Sequence, residues 1–130
     1  MKRSVLITVT GDPRHSARPA EAVRIAAGLS TNGRLDVTLC LRGASMLALS
    51  GDSEDFMDGD HFTRYLPVVA ETGRIVTAPA GTGEPLISEP PVVPARNLSQ
   101  EELGRLVASS DRILRFLNDR SAPDYGETTR

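Results

Sequence analysis

Tryptophan is absent from this chain of 130 residues, and cysteine and lysine each occur once, as Cys40 and Lys2. A single cysteine excludes an internal disulfide and any zinc site built on several thiolates. A lone lysine at the second residue excludes a Walker-type phosphate loop, whose lysine must reach phosphate, and leaves no buried amine for Schiff-base chemistry. Charge of one sign is missing too. Fifteen basic side chains stand against 17 acidic ones, a net charge of -2. Such a balance carries no electrostatic footprint for nucleic acid or for an anionic membrane surface. Long apolar runs are lacking as well. The stretch after Lys2-Arg3 ends at Thr8, short of the roughly 7–15 residues of a secretory core, and nothing nears the ~18 apolar residues of a membrane span. These absences point to a cytoplasmic protein with no metal and no cofactor.

What is present is enough for one domain. The length suits a single hydrophobic core, and 39% hydrophobic residues together with 11 glycines give the usual composition of a folded globular chain. Ser4–Val9 (SVLITV) is a β-branched run of the kind buried on both faces of a parallel sheet, and it is stopped by Gly11-Asp12-Pro13. After a polar loop, Thr10–Arg18, Pro19 suits the first position of a helix. Ala22, Ile25, Ala26 and Leu29 then fall on one face, and Asn32-Gly33 is expected to cap the end. Leu35–Leu41 (LDVTLCL) is the second strand, which makes a right-handed βαβ unit.

Ala44–Ser50 is apolar on all sides and suits a covered helix or turn. Gly51–Asp60 is an acidic loop. Phe62, Tyr65, Leu66 and Val69 keep helical spacing as far as Gly73, and Pro67 predicts a kink or a start later than Asp60. Arg74–Thr77 is the third strand. Pro79–Asn97, with five prolines, reads as a lid, an interface arm or a disordered segment, with Val92-Val93 as a short fourth strand. At Leu98–Leu103 the pattern is sharper. Ser99 and Glu102 make a capping box, Leu98 and Leu103 a hydrophobic staple, and Leu103, Leu106 and Val107 the buried face of the helix. Asp111 leads into a last strand, Ile113–Leu117. Residues 1–117 are thus expected to form one three-layer α/β/α domain with a mostly parallel sheet of four to five strands, and 118–130 a polar tail.

In open sheets of this kind, ligands bind at the carboxyl ends of the strands. Three loops emerge there: Thr10–His15, Gly43–Ser45 and Thr77–Gly83. The candidate ligand-binding residues are therefore Thr10, Gly11, Asp12, Arg14, Gly43, Ala44, Ser45, Thr77 and Ala78. They combine hydroxyls, free backbone N–H groups and glycines, and Arg14 or Arg42 supplies positive charge for a small anion. His15 has no evident catalytic partner and reads as a surface histidine. The acidic set before His61 lacks calcium-loop spacing, because a twelve-residue loop opening at Asp52 would close on Thr63. Cys40 alternates with Val37, Leu39 and Leu41 and reads as a packed thiol without redox function.

The strand SVLITVTGDP, the helix AEAVRIAAGLSTNG, the passage VTLCLRGASMLAL and the ending EELGRLVASSDRILRF together resemble the DsrE/DsrF-like, TusD-related family of sulfur-relay proteins, over about Lys2 to Leu117. The resemblance implies a parallel-rich α/β/α sheet, trimers or hexamers, and sulfur carried as a persulfide on a cysteine just beyond the third strand. The matching stretch Ile75–Gly83 has no cysteine, and a persulfide cannot form on Ala78 or Ala80. The expectation is a non-catalytic homotrimer or homohexamer that binds a small anionic ligand or a partner protein, linked to sulfur metabolism by the resemblance. The alternatives are a flavodoxin-like redox protein, from the faint phosphate-loop character of Thr8, Thr10, Gly11 and Ser16, and a sulfur carrier using Cys40.

Overall fold

A computed structural model of the chain describes residues 2–51, 53–79, 90–116 and 125–129. The sheet is assembled around its most apolar strand. β1 (Arg3–Val9) pairs in parallel with β2 (Leu35–Arg42) on one side and β5 (Arg112–Phe116) on the other. β3 (Arg74–Ala78) continues beyond β2, and the two-residue β4 (Arg96–Asn97) beyond β3, both parallel. β6 (Tyr125–Thr129) closes the other edge antiparallel to β5, which gives the order β4-β3-β2-β1-β5-β6. Five parallel strands thus agree with the expected class. The sixth lies within the segment expected to be a polar tail.

Helices α1 (Arg18–Ser30) and α2 (Asp60–Thr72) lie on one face, and α3 (Gln100–Ser109) on the other. This division follows from right-handed crossovers: moving outward from β1 to β3 puts helices on one side, and returning from β4 to β5 puts α3 on the opposite side. The two faces are unequal. Ile7, Val9, Val37, Leu39, Leu41 and Ile75 meet Val23, Phe62, Leu66 and Val69 in the larger core, while Leu6, Cys40, Val76, Ala78 and Ile113 meet Leu103 in the smaller. The alternation of Cys40 against its neighbours is as the sequence has it.

Local differences have local causes. In α1 the buried stripe runs through Ala22, Val23, Ala26, Ala27 and Ser30, with Ile25 and Leu29 only half-buried at its side. Short side chains sit innermost because α1 packs closely on both β1 and α2. The helix ends at Ser30 with Thr31 as its C-cap, before Asn32-Gly33. In α2 the helix begins at Asp60 and runs through Pro67 to Thr72; burial of Phe62, Leu66 and Val69 outweighs the one backbone bond a proline removes. Val92-Val93 is a bend and not a strand, and the fourth strand is Arg96–Asn97. The reason is register: Leu98 N–H donates to Thr77 O at 2.8 Å, so pairing starts only where the chain reaches β3. The Ala44–Ser50 passage is a short 3-10 helix, Gly43–Leu49, covered as expected, with Ala48 and Leu49 buried in the chain's own core and Met46 and Leu47 half-buried. Leu86 and Ile87 of the proline-rich arm lie outside the described residues.

The capping box at α3 is formed as expected. Ser99 Oγ accepts from Glu102 N–H at 3.1 Å, and Glu102 Oε1 accepts from Ser99 N–H at 3.0 Å. That second bond, before the charges of Arg96 and Arg105, holds the Glu102 carboxyl below its ordinary range. Ser99→Ala should lower stability by about 1 kcal/mol in denaturant titration, while Ser109→Ala, at an exposed position at the other end of the helix, should change it by far less.

Candidate functional site

The parallel order β3-β2-β1 brings the beginnings of the three expected loops to one edge of the sheet; residues 80–83 of the third lie outside the described residues. Their side chains are nevertheless turned to different tasks. In the first loop, Asp12 organises the chain around itself. Its carboxylate accepts from Arg14 N–H at 2.9 Å and from the Arg14 guanidinium at 2.8 and 3.1 Å, and its carbonyl accepts from the N–H groups of His15 and Ser16. The Arg14 side chain, the largest cause, holds the Asp12 carboxyl below its usual value. Gly11 is a point of close approach: a Cβ there would lie 3.3 Å from Ser16 Oγ and 3.4 Å from Pro19. The space beside Gly11 is filled by the chain itself. Thr10 N–H donates to Phe116 O, which ties β1 to β5 where the order of the strands reverses.

In the second loop Ser45 is fully buried and its hydroxyl is engaged. Oγ accepts from Arg42 N–H at 2.8 Å and lies 2.7 Å from Val9 O and 2.8 Å from Arg42 O, so its single proton serves one of those carbonyls. Ser45 therefore locks the ends of β1 and β2 together and does not face a ligand. Gly43 has φ 58°, a left-handed conformation that a side chain would strain. Ala44 is half-buried beside it. In the third loop the Thr77 hydroxyl donates to Asn97 Oδ1, which fixes the short edge strand, and Ala78 is buried in the smaller core.

One group at this edge is left over. Arg42 leaves the end of β2 half-buried, and its Nη2 donates to Pro79 O at 2.7 Å across the end of β3. Its Nε is buried and has no hydrogen-bond partner among the described residues. Burying a charged donor without a partner is costly. The edge of the sheet between Arg42, Gly43 and Pro79 is thus the place where an acceptor is wanted. The sequence named Arg42 only as an auxiliary charge, and nothing in it marked the Pro79 carbonyl or Asn97 as structural partners. Arg18, buried at the start of α1, was also not singled out.

Cys40 lies in β2 two residues before Arg42, fully buried and paired with Thr8 and Val76, on the α3 side of the sheet. Burial pushes its thiol up to about 11, against a smaller opposing effect of Arg42. No group of His, Cys, Asp and Glu among the described residues could hold a metal ion, and no described helix is long and apolar enough to cross a membrane.

No protein-family model and no curated protein matches the chain. Among solved structures, the fold is similar to that in the crystal structure of the YchN protein from E. coli, a DsrE-like protein. The TM-score is 0.65 at 19% identity, over 89% of this chain and all of that one. An identity this low speaks for the fold alone. The architecture is a DsrE-like α/β fold.

Proposed function

We propose that this is a non-catalytic, cytoplasmic protein of the DsrE-like fold that assembles with itself and holds a small anion at the carboxyl edge of β2 and β3. The observation that carries the reading is the buried, unpartnered Nε of Arg42 beside the left-handed Gly43. A guanidinium with one donor tethered and another unmet is preorganised for an oxyanion or carboxylate, because a charge-assisted bond satisfies the donor without moving the side chain. The DsrE-like fold supports a role connected to sulfur metabolism. The positions just after β3 are Pro79 and then Ala80, so a persulfide on this edge has no residue to form on. Cys40 is a poor carrier for the reasons that make thiols inert: no exposure and little thiolate.

The test is calorimetric titration of the protein with inorganic sulfate and with thiosulfate. Arg42→Met, which keeps the apolar stem but removes every donor, should weaken binding by about tenfold or more, the worth of one charge-assisted hydrogen bond. Arg14→Met, whose guanidinium already serves Asp12, should bind as the unaltered protein does. Equal affinities for the unaltered and Arg42→Met proteins, or no binding of either anion, would refute the site.

A further inference from the structure

The acidic loop and the α3 face carry complementary features that the anion site does not use. The loop between the short 3-10 helix and α2 is a closed knob. Phe56 is buried under it, edge-on to Phe62 with ring centroids 5.3 Å apart, and Met57 N–H donates to Pro13 O at 2.8 Å. Asp58 takes a left-handed φ of 52°, and a Cβ on Gly59 would fall 2.0 Å from Ser53 O, so the turn is tightly wound. Its tip is Met57, a large apolar side chain 45% exposed. Around it stand Glu54, Asp55, Asp58 and Asp60, all exposed, and none makes an ion pair among the described residues. Arg64, a turn further on, lies over the Tyr65 ring instead. The loop thus presents one exposed apolar side chain together with four exposed carboxylates, of which Asp60 lies in the first turn of α2 and is favoured there by the helix N-terminus.

On the other face, between α3 and the β3–β4 edge, is a groove of about 300 Å³. Its apolar floor includes Val76 and Leu106, and Arg74, Arg96 and Arg105 stand around it with Glu102 as the one carboxylate in its wall. The arginines have partners of their own: Arg74 with Asp36 at 3.0 Å, Arg96 with Glu102 and Arg105 with Glu101, each at 2.8 Å. These are exposed pairs, each worth little in water, and a guanidinium's five donors are not exhausted by one carboxylate. Asp36 and Glu101 lie outside the groove but match Arg74 and Arg105, so the three guanidiniums meet three carboxylates, and what faces the groove is their unused donors and not a net positive charge.

We infer that the Met57 knob of one copy seats in the arginine groove of the next. This rests on the self-assembly proposed above and names the surfaces that make it. Knob and groove lie on opposite faces of the sheet, so one chain cannot close the contact on itself. The contact is therefore heterologous, head to tail, and becomes a ring when the rotation between copies closes. The knob's carboxylates take up guanidinium donors that the exposed single ion pairs leave open, and the methionine supplies the buried apolar contact.

Solution mass at micromolar concentration, by light scattering, tests this with two charge-reversed proteins. Arg96→Glu with Arg105→Glu reverses the groove; Glu54→Arg with Asp55→Arg reverses the knob. The unaltered protein should be a multimer, each reversed protein a monomer, and one chain carrying both reversals should regain the higher mass, whatever the number of copies in the ring. That regain also shows that neither reversal unfolds the chain. Met57→Asp, which leaves the groove untouched, should be a monomer too, and 1 M salt, where charges are screened within about 3 Å, should shift the unaltered protein toward monomer. A multimer whose mass survives each reversal made alone overturns the knob-and-groove contact and leaves self-assembly standing. A monomeric unaltered protein overturns both.

Discussion

Leu39→Ala should be the most damaging single truncation of those on β2, destabilising the protein by about 2–5 kcal/mol in denaturant or thermal unfolding. Leu39 is fully buried in the strand that lies between β1 and β3, level with Ile7 on one side and Ile75 on the other. Neighbours on a sheet cannot close over a hole as a loop can, because each is pinned by ladder hydrogen bonds on both sides. The loss is thus the transfer energy of the removed carbons together with the cavity they leave. For a domain of this size, whose whole stability is on the order of 5–15 kcal/mol, such a loss brings unfolding near working temperature. Met57→Ala is the matching control. Its side chain lies at the exposed tip of the acidic loop, and truncating it should change the stability of the isolated monomer by less than about 0.5 kcal/mol. If Leu39→Ala and Met57→Ala unfold alike, the described core is wrong.

The second large effect concerns alkali. Burial raises the Cys40 thiol from 9.0 to about 11, because the thiolate would have to exist in the apolar layer between β2 and α3. The folded-state value lies above the unfolded one. The stabilisation this represents is therefore fully present below pH 9 and is lost as pH rises from 9 through about 11, reaching on the order of 3 kcal/mol from a shift of about two units. Cys40→Ala costs some packing at every pH, but its stability should decline less steeply across that window. The same burial should make the native thiol slow toward an alkylating reagent. At pH 8 the shift alone reduces the thiolate about a hundredfold relative to an unfolded chain, and the closed packing around the sulfur slows it further. Rapid labelling of the native protein, or parallel pH–stability curves for the two proteins, would contradict the placement of Cys40.

Much of the architecture was legible because it is written at short range. The β-branched run at Ser4–Val9, Pro19 opening α1, the alternation around Cys40 and the Ser99–Glu102 box each report on residues within one turn or one strand. Each element formed where local chemistry placed it. Patterns set by packing were less legible. Val23 and Ala27 displace Ile25 and Leu29 from the centre of α1 because two neighbours press on that helix at once, and sequence spacing alone cannot say from which directions. Pro67 reads as a breaker until Phe62, Leu66 and Val69 are seen to be buried on either side of it.

At the carboxyl edge the division is sharper. The sequence by itself determined that three loops rich in glycine, hydroxyls and N–H groups follow β1, β2 and β3, and that all three share one edge of a parallel sheet. Which of those groups remain available was decided only by the tertiary structure. Asp12 turns back to Arg14, Ser45 reaches across to Val9, and Thr77 holds Asn97; each hydroxyl or carboxylate found its partner within the fold. Among the described residues of this edge, Arg42 keeps a buried side-chain donor unmet. A side chain's hydrogen-bonding capacity is a property of its type, and so is visible in sequence, whereas its satisfaction depends on what arrives from elsewhere in the chain, here from the carbonyl of Pro79, 37 residues away.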